Sequence, residues 1–264
     1  MKRYTSVVML TVGRVMDKVI VLWILSGVLE TMLFLPWLEK TYPGAREYVG
    51  GRWEEKWIPY NLDSIFNQGH IELVFKIFLV ILLLLLTVAS SRGGDYTLRR
   101  LNMPMIQVNL LIALGNAGVL VIFVAGQAVI LSALTILYID QMDAVYVNEL
   151  TGYLLFYRAD LLHSLIPMED IARWVGNLVM ILGLGMSTAQ GACVLRRGGR
   201  PIGAFLMIAL AFFTWVRPAW DLESGGIVIA VILFVALLTF MNTMETEVKE
   251  GAADEGQGEQ IEQV

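Results

Sequence analysis

Long, uninterrupted apolar runs are the feature that most limits what this chain can fold into. The runs at 73–89 and 105–138 approach or exceed the roughly 20 residues that a helix needs to cross a bilayer. Of the 264 residues, 57% are hydrophobic and only 16% are charged, whereas soluble domains carry about 25% charged residues. The sequence therefore predicts an all-α, polytopic integral membrane protein.

The apolar runs divide the chain into six predicted spans. Residues 2–18 precede them and have apolar side chains at helical spacing, which predicts an amphipathic helix lying in the membrane interface. Residues 245–264 are acidic and rich in Gly and Gln, which predicts a disordered tail after a membrane domain at 1–244. The predicted spans are approximately 19–38, 71–89, 105–139, 174–195, 202–216 and 226–241.

The stretch 140–172 is apolar in part but carries several polar and charged side chains. A charge at the centre of a spanning helix costs a few kcal/mol. We therefore predict an interfacial or re-entrant insertion on the outer side rather than a seventh span. The residues that oppose a span are Asn148, Glu149, Arg158, Asp160 and His163.

Basic residues in short segments set the predicted topology. Lysine and arginine in short loops concentrate on the cytoplasmic side of a membrane. Six spans place both termini on the side that carries most of these residues, so we predict a multi-pass protein of the cell membrane with both termini in the cytoplasm. The basic residues on that side are Lys2, Arg3, Arg14, Lys18, Arg92, Arg99, Arg100, Arg196, Arg197 and Arg200.

A short polar stretch, residues 90–104, separates the second and third predicted spans, and we refer to it as the docking segment. Gly93 and Gly94 permit a sharp turn, and Asp95 is suited to cap a helical turn. The turn combines apolar and guanidinium groups, which is more than a simple connection requires and indicates a site for a cytoplasmic partner. A second interpretation is that its arginines only fix topology. The predicted docking residues are Asp95, Tyr96, Leu98, Arg99, Arg100 and Leu101.

The sequence contains no recognisable catalytic motif. The stretch 198–203 lacks the lysine and hydroxyl of a phosphate-binding loop, and the two histidines, His70 and His163, both fall in predicted outer loops. The single cysteine, Cys193, excludes an internal disulfide. We therefore predict no enzyme activity, no metal site and no cofactor in this chain, no nucleic-acid partner, and an energy source on another chain.

The architecture and the docking segment together resemble one known family. An interfacial helix, six spans and a cytoplasmic turn-helix-turn after the second span are similar to the membrane subunit of a type-2 ATP-binding-cassette transporter. The stretch Asp95-Tyr-Thr-Leu-Arg-Arg-Leu resembles the coupling helix found there in many members. The resemblance implies that this helix seats in a separate cytoplasmic ATPase subunit, which binds ATP and Mg. This chain differs in its long outer insertion between the third and fourth spans.

The resemblance implies a permease that is surrounded by membrane lipids and forms a homodimer, or a heterodimer with a second permease. It also implies that the permease exports its substrate. Spans with few charges favour an amphipathic peptide, a drug or a lipid-like substrate over a small ion. The alternative is a non-transporting membrane anchor or sensor, whose outer loops bind a ligand while its inner side recruits a cytoplasmic partner.

Polar side chains inside the spans are further candidate site residues. Asn109, Asn116 and Gln127 on the third span either line a translocation path or bond neighbouring helices. Glu30 and Lys76 lie at similar depths from the outer ends of the first two spans, and a charge at such depth is relieved by a partner. We therefore predict an ion pair between Glu30 and Lys76, with separate extension to the headgroups as the alternative.

Overall fold

Four long helices form the core of the protein. The computed structural model describes residues 2–49, 52–91, 105–142, 147–168, 170–216 and 231–233. The helices long and apolar enough to cross a membrane are α1 (Lys2–Leu38), α3 (Ile71–Ser91), α4 (Met105–Asp140) and α7 (Ile171–Arg196). The shorter elements are β1 (Thr41–Val49), β2 (Arg52–Pro59), α2 (Leu62–Gln68), α5 (Thr151–Arg158), α6 (Asp160–Leu165) and α8 (Ile202–Thr214).

The predicted second, third and fourth spans coincide with α3, α4 and α7. The predicted fifth span corresponds to α8, whose 13 residues reach only about 20 Å and fall short of a bilayer core. Most of the predicted sixth span lies outside the described residues. Its described part, 231–233, includes Ile232, which is fully buried against the core. The structure therefore establishes four membrane-length helices, and the count of six remains a prediction.

The N-terminal region is one helix where the sequence predicted two. Helix α1 continues without interruption through the predicted interfacial helix at 2–18 and the predicted first span at 19–38. No proline lies near the predicted boundary at Lys18, and Gly13, about one and a half turns before it, lies within the continuous helix. Val15 and Val19, one helical turn apart, are both buried, so the packed face of α1 crosses that boundary.

A β-hairpin follows α1. The polar composition of residues 39–70 and their tryptophans predict only a loop that rests on the membrane surface. Strands β1 and β2 are antiparallel, with Thr41 opposite Pro59 and Val49 opposite Arg52. The register shifts between Pro43 and Arg46, and such an irregularity accommodates a proline that cannot donate to the ladder. The local Pro and Gly residues therefore lie at a shift of register within a strand and do not end it.

Helix α7 lies at the centre of the bundle and contacts α3, α4 and α8, while α1 packs on α3 and α4. Its contact with α4 is especially close. A Cβ atom added at Gly185 would lie 2.6 Å from the backbone oxygen of Ala113 and 3.0 Å from Cβ of Ala117. These small residues of α4 therefore pack within the chain, as small residues do where membrane helices approach closely.

The helices alternate in direction between two ends of the bundle. We call one the hairpin end, because it carries β1, β2, α2, α5 and α6. There Tyr138 Oη donates to the backbone oxygen of Tyr60 over 3.0 Å, and Asn177 Nδ2 donates to the backbone oxygen of Ser164 over 2.8 Å. We call the other the Arg196 end, because α7 ends there at Arg196 beside the last turn of α3.

Candidate functional site

The docking segment lies almost entirely outside the described residues. Its predicted contact residues, Asp95, Tyr96, Leu98, Arg99, Arg100 and Leu101, all fall in the stretch between Ser91 and Met105, where the description of the chain stops and resumes. The structure therefore leaves the predicted docking contacts as a prediction. What it does describe is the point at which the segment leaves α3.

Arg196 binds α3 at the beginning of the docking segment. Its Nε atom donates to the backbone oxygen of Ser91 over 3.2 Å, and its Nη2 atom donates to the backbone oxygen of Ser90. The last carbonyl groups of a helix have no partner within the helix, and a positive charge is favourable there. The Arg196 guanidinium satisfies two of these carbonyls and ties the end of α7 to the end of α3.

A buried polar layer lies next to this contact. Asn116 on α4 is fully buried, and its Nδ2 atom donates to Thr188 Oγ1 on α7 over 3.0 Å. Ser90 on α3 completes the layer, with its Oγ atom 3.5 Å from Asn116 Oδ1. Of the two roles predicted for Asn116, the structure supports the bonding of neighbouring helices.

The other two amides predicted on this helix differ from each other. Asn109 is half-buried, and its Nδ2 atom is buried without a hydrogen-bond partner among the described residues. It therefore stays a candidate for a translocation path. Gln127 lies about 27 Å further along α4 than Asn109 and is fully buried in contacts to α1.

Glu30 lies at the centre of the contact between α1 and α4. Ser26 Oγ lies 2.8 Å from Glu30 Oε1. One end of the Gln127 amide lies 2.8 Å and 3.2 Å from the two carboxyl oxygens of Glu30, and its other end lies 2.7 Å from Ser26 Oγ. We refer to Ser26, Glu30 and Gln127 as the Glu30 cluster, and all three are fully buried.

The predicted ion pair between Glu30 and Lys76 is not formed. The Lys76 Nζ atom donates to Glu72 Oε1, one helical turn earlier on α3. Glu30 instead has Ser26 and Gln127 as its partners. The prediction compared depths along the membrane normal, but depth does not fix which face of a helix a side chain occupies. Lys76 finds a carboxylate on its own helix at the favourable i,i+4 spacing.

The sequence interpretation missed Ser26, Thr188 and the role of Arg196. Ser26 and Glu30 are four residues apart and share one face of α1, which is a signal visible in the sequence. Gln127 is likewise an isolated amide in an apolar stretch. Their meeting across two helices could not be read from spacing, because it depends on how α1 packs against α4.

Charged and titratable side chains of α2, α3, α6 and α7 lie close together at the hairpin end, and we refer to them as the charged layer. They are Asp63, Glu72, Asp160, His163, Asp170 and Arg173. The backbone nitrogen of Asp160 donates to Asp63 Oδ1 over 3.2 Å. Burial raises the pKa of the Asp160 carboxyl, and the neighbouring Asp63 and Glu72 raise it further, while Arg173 opposes them. Burial lowers the pKa of His163, and Arg173 lowers it further, while Asp170 opposes this effect.

Arg173 is the most buried cation of this charged layer. It is 8% exposed, and its Nε atom lies 3.4 Å from Asp170 Oδ2. Its Nε and Nη1 atoms have no hydrogen-bond partner within the described parts of the chain. Across those same parts, no three His, Cys, Asp or Glu side chains are grouped so that they could hold a metal ion.

These features define a multi-pass α-helical membrane protein. Its four apolar helices cross between two ends, and buried polar contacts join them. No family model, no curated protein and no solved structure matches the chain.

Proposed function

We propose that this chain is the permease subunit of an ATP-driven transporter of the type-2 ATP-binding-cassette class. In this account the docking segment seats in a separate cytoplasmic ATPase, which binds ATP and Mg. Both termini face the cytoplasm of a cell, and the Arg196 end of the bundle is the cytoplasmic end. The observation that carries the proposal is the contact of Arg196 with the carbonyls of Ser90 and Ser91, where the docking segment begins.

The Arg196 contact supports the proposal because a docking element must transmit movement to the spans. Force applied to the docking segment reaches α3 through the backbone and α7 through the Arg196 guanidinium. The layer of Ser90, Asn116 and Thr188 adds α4 to the same unit. Helices α3, α4 and α7 would therefore move together when the ATPase subunits close, and the bundle would alternate between inward-open and outward-open states.

The composition of the bundle bears on the substrate and the assembly. Large apolar side chains are exposed along α1, α4 and α7, as expected for surfaces facing lipid or another apolar chain. We propose export of an amphipathic peptide, a drug or a lipid-like substrate. The functional unit is a homodimer, or a heterodimer with a second permease, together with two ATPase subunits.

The proposal is tested by reversing the two charges of the docking segment. The double substitution Arg99→Glu with Arg100→Glu should leave membrane insertion unchanged, because it lies outside the spans. Co-purification with the ATPase and stimulated ATP turnover should both be lost. Both charges are reversed together because single surface ion pairs contribute little, about 0–1 kcal/mol each.

A matched control reverses two charges at the hairpin end. Lys40→Glu with Arg158→Glu makes the same change in net charge at exposed positions remote from the Arg196 end. This control should retain the ATPase. ATPase association that survives the Arg99 and Arg100 reversal undiminished would contradict the proposed docking site and would direct attention to the stretch 196–200.

A second function, that of a membrane anchor or sensor, is favoured by one observation at the hairpin end. The charged layer there contains a buried arginine, Arg173, with donor atoms that have no hydrogen-bond partner in the described chain. Such a group could belong to a ligand-binding surface. The identity of the cytoplasmic partner separates the two functions, since a permease requires an ATPase and a sensor does not.

A further inference from the structure

The three side chains of the Glu30 cluster form a closed triangle of short polar contacts. Ser26 Oγ contacts Glu30 Oε1 at 2.8 Å, Glu30 contacts one end of the Gln127 amide at 2.8 Å, and the other end of that amide contacts Ser26 Oγ at 2.7 Å. Each distance is within the hydrogen-bonding range. Because all three side chains are fully buried, their protons must be shared among themselves.

The direction of the hydrogen bonds in the triangle depends on which way the Gln127 amide points. If its nitrogen faces Glu30, the amide donates to the carboxyl group, which can then be an ionised acceptor. The single hydroxyl proton of Ser26 then lies between two acceptors, Glu30 Oε1 and the amide oxygen of Gln127, and can satisfy only one of them. When this hydroxyl donates to the amide oxygen, the carboxylate still accepts from the Gln127 nitrogen, so each side chain has a partner, but a net charge remains inside the bundle.

If the amide oxygen faces Glu30, two oxygens approach each other at 2.8 Å, which requires a proton between them. The Glu30 hydroxyl then donates to Gln127, the Gln127 nitrogen donates to Ser26, and the Ser26 hydroxyl donates to Glu30. Every member both donates and accepts. This arrangement carries no net charge.

Among the described residues, the helices packed against α1 provide no cation that would favour the ionised form. Helix α4 carries no charged residue between Met105 and Ile139. On α3, Lys76 is bonded to Glu72, and on α2 the Asp63 carboxylate accepts from the backbone of Asp160. The charges of α1 nearest in sequence, at 14–18, lie about 18 Å or more along the helix from Glu30. An unpaired carboxylate at such a position costs several kcal/mol.

We propose that Glu30 is an intramembrane proton-binding site, held as a neutral carboxylic acid by Ser26 and Gln127, and that release of its proton reverses the Gln127 amide. The ligand of this site is the proton itself. The inference goes beyond the proposed transport function, because it needs neither an ATPase nor a transported substrate. Its consequence is that the contact between α1 and α4 depends on the protonation of one side chain.

Infrared spectroscopy of the full chain in lipid vesicles tests the proposal directly. The difference between the wild type and the Glu30→Gln variant at neutral pH should contain the carbonyl band of one protonated carboxylic acid per chain. That band should disappear at alkaline pH and be replaced by carboxylate bands. Glu72→Gln is the matched control, because the Glu72 carboxylate pairs with Lys76 and its difference spectrum should contain carboxylate bands only.

A second variant keeps the test decisive if Glu30→Gln does not fold. In Ser26→Ala the acid keeps its proton but loses one donor to its carboxyl group, so the carbonyl band should move to higher frequency. A band that does not move would contradict the ring. Carboxylate bands from Glu30 at neutral pH would overturn the proposal, and so would a band that responds to sodium at constant pH.

Discussion

The side-chain amide of Asn116 on α4 donates a hydrogen bond of 3.0 Å to Thr188 Oγ1 on α7. The two side chains are 0% and 1% exposed, so no water competes for the bond. The bond lies at the level of Ser90, beside the contact that Arg196 makes with the end of α3. It therefore joins the two central helices of the bundle near the beginning of the docking segment.

A double-mutant cycle of Asn116→Ala and Thr188→Val should measure this bond. Interhelical hydrogen bonds in membrane proteins contribute about 0.6 kcal/mol on average and up to about 1.7 kcal/mol. We expect a coupling energy in this range in the free energy of unfolding, determined in detergent. The control cycle combines Asn116→Ala with Thr135→Val, because the Thr135 hydroxyl donates to Leu131 on its own helix and, within the described chain, makes no bond to another helix. An equal coupling energy in both cycles would contradict the assignment.

The substitution Gly185→Ala should destabilise the contact between α4 and α7. The added methyl group would lie 2.6 Å from the backbone oxygen of Ala113, which cannot move aside without shifting the helix. Overpacking of this kind costs about 1–3 kcal/mol, and we expect a corresponding fall in the thermal midpoint. Gly118→Ala on α4 meets open space and should be neutral or slightly stabilising. Equal midpoints for the two variants would contradict this packing.

Replacing Arg196 with alanine should loosen the last turn of α3. The carbonyls of Ser90 and Ser91 would lose their donors, so the helix end should open more often. Hydrogen exchange measured on a peptide that includes residues 84–91 should be faster in Arg196→Ala. Arg200→Ala removes a nearby exposed arginine and should exchange like the wild type. Unchanged exchange in Arg196→Ala would remove the structural support for coupling.

Stability at the hairpin end should fall as the pH rises, because of Asp160. Burial and the nearby Asp63 raise the pKa of this carboxyl, so the folded protein holds the proton more tightly than the unfolded chain does. The contribution of Asp160 is therefore fully present below its ordinary pKa of 3.8 and is lost as the pH rises through the raised value. Asp160→Asn should flatten this decline and raise the thermal midpoint at pH 7.

His163 should produce the opposite dependence at the same end of the bundle. Burial and Arg173 lower the pKa of His163, so the unfolded chain binds the proton more readily than the folded protein does. Stability should therefore fall as the pH drops below the ordinary value of 6.5. His163→Gln should reduce this acid-side loss in a thermal titration, and an unaltered profile would exclude His163 as its source.

The long helices were predictable because apolar length is a strong signal. The runs that became α3, α4 and α7 need no partner to be recognised, since a stretch of about 20 apolar residues has few other structures available to it. The sequence also contains a signal for the continuity of α1, because no Pro lies near Lys18 and Val15 and Val19 continue one face. The polar residues of 2–18 favour a separate interfacial helix, but the buried face shared by Val15 and Val19 runs through the boundary, and α1 is one helix.

The polar contacts were less predictable, because they depend on which helix faces meet. Glu30 and Lys76 match in depth, yet Lys76 bonds to Glu72 on its own helix and Glu30 meets Gln127 on α4. The contacts within one helix, Ser26 with Glu30 and Glu72 with Lys76, were visible in the sequence as i,i+4 pairs. Contacts between helices, such as that of Arg196 with Ser90, could not be predicted in this way, because they depend on how α7 packs on α3.

Native mass spectrometry of the complex purified from its own membrane tests the central claim most directly. The account predicts a mass that contains two membrane chains, either two copies of this one or this chain with a second permease, and two copies of an ATPase with a phosphate-binding loop. The ATPase should be absent from the same preparation of the Arg99→Glu and Arg100→Glu double variant. A chain that is purified alone, or with a cytoplasmic partner that is not an ATPase, would contradict the account.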